Sequence, residues 1–89
     1  MTANFSLGQT VMTANAQRTL HREDVIASLL RHSAGDWGEL DDDDRQSNED
    51  ALKDGSRLLS AYTDRNGVKF WIITESDRSV TTVLLPEDY

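Results

Sequence analysis

Eighty-nine residues with 16 acids, 9 bases and no cysteine make one domain with a modest core, and the missing thiols exclude a disulfide framework, a thiolate nucleophile and a thiolate metal site. A net charge of −7 opposes association with nucleic acid or an anionic membrane surface, so direct contact with either is not expected. No apolar run approaches the roughly 18 residues of a membrane span, and the opening MTANFSLGQT lacks the basic region and apolar stretch of a secretory signal, so the chain reads as cytoplasmic.

Gln9-Thr10-Val11-Met12 is half-apolar and short, which suits an edge strand, and the Thr13 hydroxyl behind it is placed to cap a short helix running to Leu20. Val25, Ile26, Leu29 and Leu30 then recur at the spacing of one helical face. Glu23 and Asp24 at the start of that stretch, and Arg31 and His32 at its end, suit the two poles of a helix, and Gly35 stops it. In Gly35-Asp36-Trp37-Gly38 a large aromatic sits inside a glycine-flanked corner, where it is expected to tuck back over the helical layer and pin the connection.

Leu40 and the run Asp41 to Asp44 begin a third helix, with Leu40 as the staple residue and the aspartates supplying a cap and a negatively charged first turn. Ala51 and Leu52 are its few apolar residues and Gly55 ends it, so it belongs on the outside of the fold. The charge is concentrated here. Residues 35 to 54 hold nine carboxylates (Asp36, Glu39, Asp41, Asp42, Asp43, Asp44, Glu49, Asp50, Asp54) against Arg45 and Lys53, which accounts for the whole net charge; the rest of the chain balances.

From Arg57 the pattern turns extended. Leu58 to Tyr62 leads into Asp64-Arg65-Asn66-Gly67, whose Asn-Gly pair signals a hairpin. Val68 to Thr74 is apolar on both faces and reads as the sheet centre; Val80 to Leu85 forms a third strand that Pro86 ends. Residues 1–89 therefore read as a single acidic α+β domain, in which a small antiparallel sheet packs against two or three helices. The sheet comprises a C-terminal three-stranded meander, with the N-terminal strand as a candidate fourth member.

Several chemistries can be set against these residues. Carboxylates spread along a helix can occupy a basic groove that ordinarily holds nucleic acid, or can simply start and solvate that helix. Asp41, Asp43 and Glu49 could collect a hard cation, but the twelve-residue calcium loop with its central glycine is missing, so neither a metal nor another cofactor is expected. His32 with Glu75, Asp77 and Arg78 supplies the parts of a nuclease-like hydrolytic site, although each also serves an ordinary structural role. Trp37, Trp71, Tyr62 and Phe70 suit core packing better than a base-stacking platform.

The blocks Arg31-His32-Ser33-Ala34-Gly35-Asp36-Trp37-Gly38, Asp44 to Asn48, Leu59-Ser60-Ala61-Tyr62, Trp71-Ile72-Ile73-Thr74-Glu75 and Asp77 to Tyr89 together resemble small proteins carried on plasmids and other integrated mobile elements. The resemblance runs from Leu7 onward and brings no catalytic residue set with it. It implies mobile-element carriage, and makes inhibitors of bacterial defence systems, of anti-CRISPR or anti-restriction type, the class to consider. The expected role is thus a non-enzymatic acidic binding protein, monomer or homodimer, that meets a basic protein surface through Asp36, Trp37, Glu39, Asp41, Asp42, Asp43, Asp44, Glu49 and Asp50. The competing readings are a small hydrolase centred on His32 and a regulatory accessory that dimerises through a strand edge.

Overall fold

A computed structural model describes residues 3–89. The elements are β1 (Gln9–Met12), α1 (Ala14–Thr19), α2 (Arg22–Ser33), α3 (Asp42–Asp54), β2 (Leu58–Thr63), β3 (Lys69–Thr74) and β4 (Val80–Leu84), followed by one 3-10 turn, Pro86–Asp88. Among the described residues no helix is long and apolar enough to cross a membrane.

Side chains at the helix ends set the boundaries as their chemistry dictates. The Thr13 hydroxyl accepts from the Ala16 amide at 3.1 Å and starts α1; the Asp41 carboxylate accepts from the Asp44 amide at 2.8 Å and starts α3. Gly55 ends α3 in the left-handed region, at φ 82°, where its amide returns to the Ala51 carbonyl.

The sheet order is β1-β4-β3-β2. β2, β3 and β4 form the expected antiparallel meander with β3 inside the sheet, but β1 runs parallel to β4, with Gln9 opposite Val80 and Met12 opposite Val83. The sheet is therefore mixed rather than antiparallel throughout. A tight turn forces neighbouring strands to oppose each other; β1 and β4 share no turn, and the helices between β1 and β2 carry the chain across to the far edge. The β2–β3 turn is also longer than an Asn-Gly pair by itself implies. Only Gly67 in it has positive φ, and the Asp64 carboxylate accepts from the Asn66 and Val68 amides to shape the loop.

Alternation along the strands separates two faces. Leu58, Ser60 and Tyr62 of β2 lie beside Thr74, Ile72 and Phe70 of β3, and Thr81 and Val83 of β4 continue that face. The main core forms there: Tyr62, Phe70, Ile72, Val83 and Leu85 meet Ala16, Leu20 and Val25 from the helices. A second cluster at the β2 edge joins Trp37, Ala51 and Leu58, with Phe5, Leu40 and Leu52 packed against it.

The apolar stripe expected of α2 does not face the core as a unit. Val25, Ser28 and His32 are buried, whereas Ile26 is 50% and Leu30 59% exposed. The helix sits on the sheet along Val25, Ser28, Leu29 and His32, a stripe at positions i, i+3, i+4 and i+7, which turns Ile26 and Leu30 outward.

Candidate functional site

α3 stands at the β2 edge, held by an amide that takes the place of a neighbouring strand. Asn48 donates to the Leu59 carbonyl at 2.6 Å and accepts from the Leu59 amide at 3.1 Å. Next to it Gly38 forms a parallel bridge with Ala61, so the corner preceding α3 also pairs with β2. Asn48 lies three residues before Ala51 on the inner stripe of α3, and a polar residue on an otherwise apolar stripe was the signal that it had a partner. These contacts hold the inner face still and turn the carboxylates outward.

The nine expected contact residues divide by what each already does. Asp36 pairs with Arg31 at 2.8 Å, and the guanidinium holds its carboxyl below the usual range. Glu39 accepts from the Thr63 hydroxyl, and Asp41 is the cap. Trp37 is a correction: its ring is 3% exposed, packed among Phe5, His32 and Ala51, and its indole N–H donates to Glu49 Oε2 at 2.8 Å. A large apolar ring gains more from that enclosure than from solvent, so Trp37 anchors the corner and presents no surface to a partner. Glu49 is engaged by that same bond.

Asp42, Asp43, Asp44 and Asp50 remain, all exposed. Asp43, Gln46 and Asp50 form an outward stripe, with Gln46 donating to Asp50 at 3.0 Å. Lys53 on the last turn of α3 makes no ion pair among the described residues, and two nearby arginines are spent on backbone. Arg45 donates to the carbonyls of Leu40 and Gly38 at 2.9 and 2.7 Å; Arg78 donates to those of Ser56 and Ala51 at 2.6 and 3.1 Å, closing the C-terminal end of α3. The ion pairs among the described residues are Arg31–Asp36 and Arg65–Asp24, and neither involves α3. Its outer face is thus a row of carboxylates with no ion-pair partner among the described residues.

Of the hydrolytic grouping, His32, Asp77 and Arg78 are each engaged in structural contacts. His32 is fully buried, with Nδ1 against Ser60 Oγ at 2.5 Å and Nε2 against Thr74 Oγ1 at 2.9 Å. The hydrogen bonds fix its tautomer by elimination. Thr81 gives its hydroxyl proton to the Leu7 carbonyl, so Thr74 must donate to Thr81, and the only proton left for the Thr74 oxygen is that of His32 Nε2. Nδ1 then accepts from Ser60. Burial, helped by the charge of Arg78, lowers the imidazole to about 4, which keeps it neutral. Asp77 is occupied by the amide and hydroxyl of Ser79, and Arg78 by carbonyls. No group of three or more His, Asp or Glu side chains among the described residues converges to hold a metal ion.

Two structural carboxylate and hydroxyl roles were not legible in the sequence. Asp64 is buried and, besides shaping its hairpin, accepts from the His21 amide at 3.0 Å, tying the β2–β3 turn to the start of α2. Ser60, Thr74 and Thr81 form the polar row beneath His32, although each sits in a strand whose composition reads simply as β-forming.

The class these features define is a small α+β domain with an edge helix that is acidic on its outer side. Comparison with protein-family models, with curated proteins and with solved structures finds no match for the chain.

Proposed function

We propose that this chain is a non-enzymatic acidic binding protein. It is encoded on a mobile element and inhibits a host nucleic-acid-handling defence complex of anti-CRISPR or anti-restriction type in the cytoplasm. The observation that carries the reading is the row Asp42, Asp43, Asp44 and Asp50, exposed on a braced helix with no ion-pair partner among the described residues. Carboxylates carried on a formed helix need no backbone ordering to meet a basic groove, and their charge steers that encounter. The proposed mechanism is steric occupation of a surface that otherwise holds nucleic acid. The resemblance of the RHSAGDWG and WIITESDRSVTTVLLPEDY blocks to mobile-element proteins supplies the biological setting.

The test begins with affinity purification from a bacterial host at low and high salt, followed by titration of the purified partner. The quadruple variant Asp42→Asn, Asp43→Asn, Asp44→Asn, Asp50→Asn should fold normally and bind at least about tenfold more weakly, and wild-type affinity should fall as salt screens the contact. Unchanged affinity of the variant, or a complex indifferent to salt, sinks the proposal.

A further inference from the structure

The chain has four asparagines, and the fold engages the side chains of Asn4, Asn15 and Asn48. Asn4 donates to the Ala34 carbonyl, Asn15 lies between Asp88 and Arg18, and Asn48 holds both backbone groups of Leu59. Asn66 stands apart. It is exposed, its side-chain amide has no hydrogen-bond partner among the described residues, and it alone is followed by glycine. Gly67 has no side chain to screen its nitrogen, and even a Cβ there would meet nothing within 4 Å.

This pairing permits a reaction that needs only water. The Gly67 nitrogen gives its proton to water and attacks the Asn66 Cγ, closing a succinimide ring. The bond from Cγ to the side-chain nitrogen breaks, and that nitrogen takes up a proton and leaves as ammonia. A second water opens the ring at either carbonyl. One opening gives aspartate on an unchanged main chain; the other gives isoaspartate, whose main chain runs through the side-chain CH2.

The turn restrains the step. The Gly67 amide donates to the Asp64 carbonyl at 2.9 Å, while the Asn66 and Val68 amides on either side donate to the Asp64 carboxylate at 2.9 and 3.0 Å. The nucleophile is thus engaged and the backbone at Asn66 is pinned. The same turn is clasped to the start of α2. Asp64 accepts from the His21 amide, and Asp24 accepts from the amide and guanidinium of Arg65 at 2.8, 3.1 and 2.9 Å. The attack therefore requires the turn to open, and the clasp opposes that opening.

We infer that Asn66 is a deamidation site whose rate is set by opening of the Asp64 turn, and whose isoaspartate product frees the hairpin from α2. An added CH2 at position 66 moves the Asn66 and Val68 amides out of register with the one carboxylate that holds them. The new carboxylate also adds negative charge close to Asp64 and Asp24, which already repel each other.

Peptide mapping by mass spectrometry, on the chain kept at mildly alkaline pH both folded and in urea, tests the site and its restraint. In urea Asn66 should convert before Asn4, Asn15 and Asn48, and in the folded chain it should convert at least about tenfold more slowly. Asp24→Ala removes the acceptor of Arg65 and leaves the turn residues intact; it should speed conversion of the folded chain at least about threefold. After refolding, the isoaspartate form should exchange its His21 and Arg65 amide protons at least about tenfold faster than the unconverted chain. Earlier conversion of another asparagine in urea, or equal rates folded and in urea, overturns the inference. So does an Asp24→Ala rate equal to wild type, or an isoaspartate form whose His21 and Arg65 amides exchange as slowly as before.

Discussion

The indole nitrogen of Trp37 donates to the Glu49 carboxylate at 2.8 Å, and this bond joins the corner before α3 to the middle of the helix itself. It links a ring buried in the β2-edge cluster to an acid on the helix surface. Glu49→Ala leaves the indole N–H in place without its acceptor, at a cost of about 1–2 kcal/mol. Trp37→Ala also empties the ring's volume and should cost about 3–5 kcal/mol. Urea unfolding of both variants checks the order. Equal losses would show that the ring contributes no more than its hydrogen bond.

His32 predicts a pH dependence of stability. Its folded value is lowered from an ordinary 6.5 to about 4, first by burial and then by Arg78, so between those pH values the unfolded chain binds the extra proton. Stability is then complete above pH 6.5 and falls as pH drops toward 4, by about 3 kcal/mol in total. His32→Gln should flatten that slope. Asp24, held to about 2 by Arg65 from an ordinary 3.8, also favours the fold at higher pH, but its contribution is lost only below that window. Unfolding midpoints at pH 4.5, 5.5 and 7 separate the two groups. A wild-type slope identical to that of the variant would remove His32 as its source.

Gly38 and Gly55 both have positive φ, at 76° and 82°, yet they should respond differently to alanine. At Gly55 a Cβ meets nothing within 4 Å, so Gly55→Ala should cost only the left-handed backbone penalty, about 1 kcal/mol. At Gly38 the Cβ would run into the Ala61 carbonyl oxygen and stand 2.8 Å from the Tyr62 ring, in the middle of the bridge to β2. Gly38→Ala should therefore cost on the order of 4 kcal/mol or prevent folding. Thermal melts of both proteins provide the comparison, and similar melting temperatures would mean that the bridge yields easily.

The meander was legible because its information is local: β-forming residues in β3, a glycine turn on one side and Pro86 on the other fix three strands whatever surrounds them. The caps Thr13 and Asp41 were legible for the same reason, since a cap needs only a side chain three residues from its amide. The direction of β1 was not. Its partner lies about seventy residues away, and nothing in Gln9–Met12 records which way β4 runs.

The candidate site divides in the same way. The sequence by itself determined how many carboxylates surround α3, because charge is counted along the chain. Only the tertiary structure decided which of them are free. Trp37 closes over Glu49, Arg31 takes Asp36, Arg45 turns to backbone carbonyls, and Asp42, Asp43, Asp44 and Asp50 are left facing solvent. Tertiary structure likewise put the polar Ser28 and His32 of α2 inside and Ile26 and Leu30 outside, against their hydropathy. The physical reason is that Ser60 and Thr74, the hydrogen-bond partners of His32, lie 28 and 42 residues away along the chain, on strands that only the folded structure brings beneath the helix.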